Sequence, residues 1–124
     1  MRRHPRLLHF SREHHLALRL AKHASAAGSS LPVAEVAAEV AGVRTELLRH
    51  FAAEEEELFP ELAAHQLTEL HRRLLAEHRE LSALLASPDD AVRLQRLGEL
   101  LRGHVHFEER ELFPALEAGW PADE

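Results

Sequence analysis

The chain has 124 residues, about one domain's length, and its 45% apolar content supports a packed core rather than disorder. A formal net charge of −6 argues against nucleic-acid binding through phosphate contacts, and the lack of cysteine excludes disulfides and thiolate metal sites. No apolar run reaches the roughly 18–20 residues that a membrane-spanning helix needs.

Ala, Leu, Glu and Arg dominate and strand signals are nearly absent, so the elements read as helices. The basic start, MRRHPRLLHFSREHH, has neither the apolar segment nor the cleavage site of a secretory signal, and the chain is expected to be cytoplasmic. The first helix is predicted from Phe10 or Ser11 to about Ala27, ended by Gly28-Ser29-Ser30, with an inward stripe of Leu7, Phe10, His14, Leu18 and Ala21. Ser30 is the expected cap of the second helix and Pro32 lies in its first turn. That helix is predicted to run to about Phe59, where Pro60 limits it. Its stripe is Val36, Val40, Val43, Leu47 and Leu58, and between the last two it passes through His50 and Glu54. The third helix, from about Leu67 to Ala86, carries Leu67, Leu70 or His71, Leu74, His78, Leu81 and Leu85. Ser87-Pro88-Asp89 ends it and Pro88 suits the first turn of the fourth, which is predicted to reach about Phe113, before Pro114. The fourth stripe is Leu94, Leu97, Leu101 and Leu112, interrupted by His104 and Glu108. A short tail follows over 117–124. Four helices with short connections predict an all-α, up-down-up-down four-helix bundle, a single domain over 1–124.

The chain is written twice. HFAAEEEELFPEL (50–62) aligns without gaps on HVHFEERELFPAL (104–116), matching His50 to His104 and Glu54 to Glu108. A Glu-His pair precedes each copy, Glu13-His14 and Glu77-His78, so the chain divides into two equivalent helical hairpins.

Eleven histidines beside one methionine, one tryptophan and no tyrosine give this pattern a chemical meaning, because imidazole is the commonest metal ligand of this type. Residues i and i+4 share a helix face, so His50 with Glu54, and His104 with Glu108, reach one point in the bundle interior. Burying ionised carboxylates there is very costly unless they are paired or bind metal. Two metal ions resolve the conflict: the carboxylates bridge them and imidazoles fill terminal positions. Nitrogen and oxygen donors without sulfur suit iron, manganese or zinc; bridging carboxylates with histidines favour two non-haem iron ions, with an oxo or hydroxo bridge expected between them. Six protein ligands on two octahedral ions leave positions open for oxygen, peroxide, nitric oxide or hydroxide.

The remaining histidines fit the pattern less well. His15 is rotated about 100° from His14 and is expected at the edge of the bundle or beside a ligand. His71 is on the third stripe but about 10 Å along the axis from His78, too far for the same ion. His106 falls off the fourth stripe, and His4, His9, His23 and His65 are expected at the surface. Glu55 and Glu109 are expected as solvated salt-bridge partners, and Phe51, Phe59, Phe107 and Phe113 as core residues that keep water away. No HExxH, Ser-His-Asp or phosphate-loop pattern is present, and no acidic residue lies three positions before any histidine, which excludes the ferritin-like Glu-x-x-His arrangement.

As a set, EH (13–14), HFAAEEEELFP (50–60), EH (77–78) and HVHFEERELFP (104–114) resemble the hemerythrin-like, or HHE cation-binding, family over nearly the whole chain. The resemblance implies a four-helix bundle around a carboxylate-bridged di-iron site, with His14 and His50 on one iron, His78 and His104 on the other, and Glu54 and Glu108 as bridges. It also marks a departure. Oxygen-carrying hemerythrins have a further histidine four residues before the third-helix ligand, and that position here is Leu74. A missing terminal ligand implies a more open site than that of a reversible oxygen carrier. The expectation is a protein that binds or senses oxygen, nitric oxide or peroxide, with no nucleic-acid or membrane partner. Its alternatives are an enzyme acting on peroxide or nitric oxide, or an iron storage or delivery protein. A metal-free structural bundle ranks last.

Overall fold

The computed structural model describes residues 3–121, and helices account for nearly all of them. They are α1 (Leu8–Ser25), α2 (Val33–Ala64), α3 (Thr68–Ala86) and α4 (Ala91–Phe107). A π-helical turn (Glu108–Leu112) and the short α5 (Phe113–Ala118) continue α4 without a break. The result is the expected up-down-up-down four-helix bundle: α1 packs against α2 and α4, and α3 against the same two helices. No helix among the described residues is long and apolar enough to cross a membrane.

Helix ends depart from the sequence reading at several points. Ser30 does not cap α2; Pro32 stands at the cap position in extended conformation, and no side chain bonds the first-turn amides there. Pro88 precedes α4 and is buried, while Asp90 caps that helix by accepting a 2.8 Å hydrogen bond from the Arg93 amide. Between α1 and α2 the chain reverses at Gly28, whose φ of +81° is a left-handed conformation that suits glycine. Gln66, at φ +53°, takes the same role between α2 and α3.

Neither Pro60 nor Pro114 stops its helix. A proline removes one ladder bond and crowds the carbonyl four residues earlier. For Pro60 that residue is Glu56, which is exposed, so water can serve its carbonyl, while Leu58 and Leu62 on either side are fully packed. At Pro114 the adjustment is the π-helical turn, closed by the Phe113 amide donating to the Glu108 carbonyl five residues back. The tail is structured as far as the described residues go. Glu117 lies within α5 and Trp120 is buried; 122–124 lie outside the described residues.

Two apolar clusters fill the bundle. One includes Ala17, Leu20, Val40, Leu47, Leu81, Leu97 and Leu101; the other includes Leu7, Phe10, Leu58, Leu74, Phe107, Leu112 and Phe113. The α1 stripe steps from His14 to Ala17 rather than to Leu18, which is 39% exposed, a correction to its expected core position. His4 is also corrected: it is buried, lies tilted against the Trp120 ring at 5.0 Å and shares a 3.0 Å hydrogen bond with the Pro121 carbonyl.

Gly98 lets α1 and α4 approach closely. A Cβ there would lie 2.6 Å from the Ser25 amide nitrogen and 2.8 Å from the Ala21 carbonyl oxygen. Alanine normally stabilises a helix interior by about 1 kcal/mol relative to glycine. Gly98→Ala is expected to do the reverse, lowering stability by about 1–3 kcal/mol through overpacking, as read by urea denaturation.

Candidate metal centre

Between the two apolar clusters lies a polar layer. His14, His50, Glu54, His78, His104 and Glu108 are all buried, and both glutamates are fully so. They arrive from all four helical rods, each at the interruption in its apolar stripe. The layer divides into two sets whose donor atoms lie within 4.8 Å of one another: His14, His50, Glu54 and Glu108; and Glu54, His78, His104 and Glu108. Both carboxylates belong to both sets.

The contacts repeat with the twofold character of the sequence. His14 Nε2 is 2.7 Å from Glu108 Oε1, and His78 Nε2 is 2.9 Å from Glu54 Oε1. Within one helix, His50 Nε2 is 3.3 Å from Glu54 Oε2 and His104 Nε2 is 3.3 Å from Glu108 Oε2. Each glutamate therefore faces an imidazole of its own hairpin and one of the other.

Protein contacts leave this layer incomplete. Glu54 Oε2, Glu108 Oε2 and His104 Nε2 are buried without a hydrogen-bond partner. Buried polar atoms are nearly always satisfied, and three orphans within one buried carboxylate–imidazole layer suit a cation. The donor set, oxygen and imidazole nitrogen with no sulfur, also fits a transition-metal ion.

The outer nitrogens complete the design. His50 Nδ1 shares a 2.6 Å hydrogen bond with Glu13, His104 Nδ1 a 2.7 Å bond with Glu77, His14 Nδ1 a 2.7 Å bond with Glu109, and His78 Nδ1 a 2.8 Å bond with Glu55. With Nδ1–H donated outward, each ring keeps Nε2 aimed at the centre. Every orienting carboxylate adjoins in sequence a residue of the layer other than the imidazole it holds. Glu13 follows Arg12 and precedes His14, yet it holds His50 across the hairpin.

Arginines fix two of these carboxylates. Arg73 Nε donates to Glu77 at 2.8 Å while its guanidinium lies 4.0 Å over the Phe107 ring. Arg3 donates to Glu109 Oε1 at 2.8 Å and to the Glu109 carbonyl, inside the π-helical turn, at 3.0 Å. Ser11 adds a 2.7 Å bond to Glu109 Oε2. Glu55 and Glu109 are thus not merely solvated salt-bridge partners, as the sequence reading had them. The roles of Glu13 and Glu77 were not read from the sequence, although their place in the repeated Glu-His pairs was the available signal.

Charge is strongly perturbed here. Burial alone would lower the His50 pKa, but Glu54, then Glu13 and Glu108, override it and raise it from 6.5 to about 9. Burial opposes the charge on His104 too, and Glu108, Glu54 and Glu77 hold its pKa well above the usual range. Glu54 moves the opposite way: burial would raise its carboxyl, yet Glu108 and the imidazoles of His104, His50 and His78 keep it well below the carboxylate range. A raised histidine stabilises the metal-free fold fully below its unfolded pKa and loses that contribution as pH rises through the folded value. Chelator-treated protein is accordingly expected to lose stability between about pH 6.5 and 9, seen as a falling urea midpoint.

Aromatic rings close the layer. Phe51 stacks on His78 with centroids 4.6 Å apart, Phe10 meets His50 edge-on at 5.7 Å, and Phe113 lies parallel to His14 at 5.9 Å. Phe51, Phe107 and Phe113 are core residues as expected, and Phe59 is half-buried against His71 at 4.3 Å. Leu74 is fully buried. His71 and His15 belong to neither donor set, and His15 is exposed rather than beside a ligand. His9 and His65 are exposed as expected; His23 is half-buried and bonded to Glu39.

Fold and layer together define a four-helix protein with a buried carboxylate–imidazole cluster that fits a metal site. Residues 7–116 match the model of the hemerythrin HHE cation binding domain, and the chain belongs to that family. No curated protein and no solved structure matches it significantly.

Proposed function

We propose that this is a non-haem di-iron protein that binds or senses a small ligand, namely oxygen, nitric oxide or peroxide, in the cytoplasm. His14 and His50 would hold one iron, His78 and His104 the other, and Glu54 and Glu108 would bridge them. The observation that carries this reading is the pair of four-donor sets that share both glutamates. Bound there, two iron ions would supply redox-active centres with coordination positions that the protein leaves free.

The chain's own residues do the rest. Glu13, Glu55, Glu77 and Glu109 fix the imidazole tautomers, and Phe10, Phe51 and Phe113 exclude water from the ring faces. Leu74 is packed in the apolar cluster next to the layer and offers no donor where an oxygen carrier has a histidine, which favours sensing or onward reaction over reversible carriage.

Anaerobic iron loading followed by oxygen exposure tests the reading. About two irons per chain, with new near-UV and visible absorption on oxygen exposure, are expected. Loading is also expected to raise the melting temperature, because binding satisfies the orphaned donors only in the folded state. A spectrum that reverses when oxygen is removed would indicate binding, and turnover of added peroxide would indicate an enzyme. Failure to retain iron at all would refute the proposal.

A further inference from the structure

The four orienting carboxylates are not held alike. Glu77 is 15% exposed, Glu109 29% and Glu55 34%, whereas Glu13 is 54% exposed. Glu77 and Glu109 are each tied to an arginine, while Glu13 has its hydrogen bond to His50. The imidazole that Glu13 holds also borders an open cleft. That cleft, about 390 Å³, lies between α1 and α2 and is lined by His9, Glu13, Glu46, Arg49, His50 and Ala53.

We propose that this cleft is the route by which a divalent transition-metal cation reaches the buried centre, with Glu46 and His9 as outer docking groups and the Glu13–His50 pair as the gate. The inference rests on the reading of the layer as a metal centre. Size permits it: six waters at their liquid volume occupy roughly 180 Å³, so the cleft admits a cation with its hydration shell. Donor chemistry matches as well, since carboxylate and imidazole are the groups that exchange with water on such a cation. Glu57 stands 3.4 Å from His9 and adds to the negative charge at the mouth. Arg49 opposes it, and its sign supplies a test. The buried end of the route is already a donor: His50 is a wall of the cleft and a member of the set with His14, Glu54 and Glu108. Release of Glu13 into solvent frees the His50 ring to turn outward, collect the ion and return with it. The other three imidazoles are held by less exposed carboxylates and do not line the cleft.

Uptake of ferrous iron by the metal-free protein, followed anaerobically by stopped flow with metal content measured at the end, tests the route. Glu46→Gln is expected to slow uptake about threefold and Arg49→Gln to speed it by a similar factor, both with unchanged final content. Ala53→Leu, which narrows the cleft, should slow both uptake and release to a chelator. Glu80→Gln, on the α3–α4 face where Glu80 pairs with Arg96, should change nothing. Unchanged rates in the three cleft variants, or equal slowing by Glu80→Gln, would overturn the route while leaving the metal centre standing. A wild-type chain that takes up no iron would overturn the metal centre itself.

Discussion

Replacing either Glu54 or Glu108 with alanine is expected to abolish binding of both metal ions, not of one. Each carboxylate belongs to both donor sets, so each substitution removes an oxygen donor from both. Removing even a partner that only orients a ligand typically weakens metal binding about 10–100-fold, so losing a shared ligand should cost more than about 100-fold. The substitutions also change the metal-free protein. Glu54→Ala removes the acceptor 2.9 Å from His78 Nε2 and the neighbour 3.3 Å from His50 Nε2, stranding both inner ring nitrogens although Glu55 and Glu13 still hold the outer ones. A loss of about 1–3 kcal/mol in the apo fold is expected from such stranded groups. Equilibrium dialysis with elemental analysis separates the two effects when paired with circular dichroism. A folded Glu54→Ala or Glu108→Ala chain that retains one ion would show that the carboxylates do not bridge. His14→Ala should lose metal while His15→Ala keeps it, since His15 is exposed and outside the layer.

Much of this was legible in the sequence because helical periodicity converts directly into geometry. His50, Glu54, His104 and Glu108 occupy positions where an apolar residue was due, and a 3.6-residue repeat can place them only inward. Duplication strengthened the reading, since the same interruption falls twice. What periodicity does not give is the partner of an outward-facing nitrogen. Glu55 and Glu109 sit one residue past the inward glutamates and looked like ordinary solvated acids. Their bonds to His78 and His14 span 23 and 95 residues and depend on how the helices are rotated in the bundle. Local breaker rules failed for a related reason. Pro60 and Pro114 break an isolated helix, but here buried leucines and phenylalanines on either side hold the rods in place. Twin sequences did not yield twin backbones either: Glu54–Leu58 is α-helical, whereas Glu108–Leu112 is π-helical and is gripped by Arg3. Leu18 shows the limit at the scale of one residue, because a stripe can step by three or by four and α1 takes three, through Ala17.

The orienting carboxylates carry the second large prediction. Glu77→Gln and Glu109→Gln are each expected to weaken iron binding by about 10–100-fold, while Glu13→Gln should have a clearly smaller effect. All three keep a side-chain oxygen able to accept from an imidazole Nδ1–H, so the change isolates the negative charge that raises the basicity of the ring. Charge acts most strongly where solvent is excluded. Glu77, held low by His104 and Arg73 against the opposing effect of burial, and Glu109, held low by Ser11, His14 and Arg3 in the same way, work in such surroundings. Glu13, more than half exposed, is screened. Substituting Glu77 or Glu109 also removes one of the two carboxylates that Arg73 (with Glu111) or Arg3 (with Glu117) pairs with, and those guanidiniums lie over the Phe107 and Phe113 rings. Competition with a chelator of known affinity gives the ranking, and thermal melts of the metal-free variants show whether the fold is intact. A Glu13→Gln loss equal to that of Glu77→Gln would mean that solvent does not screen the outer carboxylates, and the graded hold on the four imidazoles would have no consequence for metal binding.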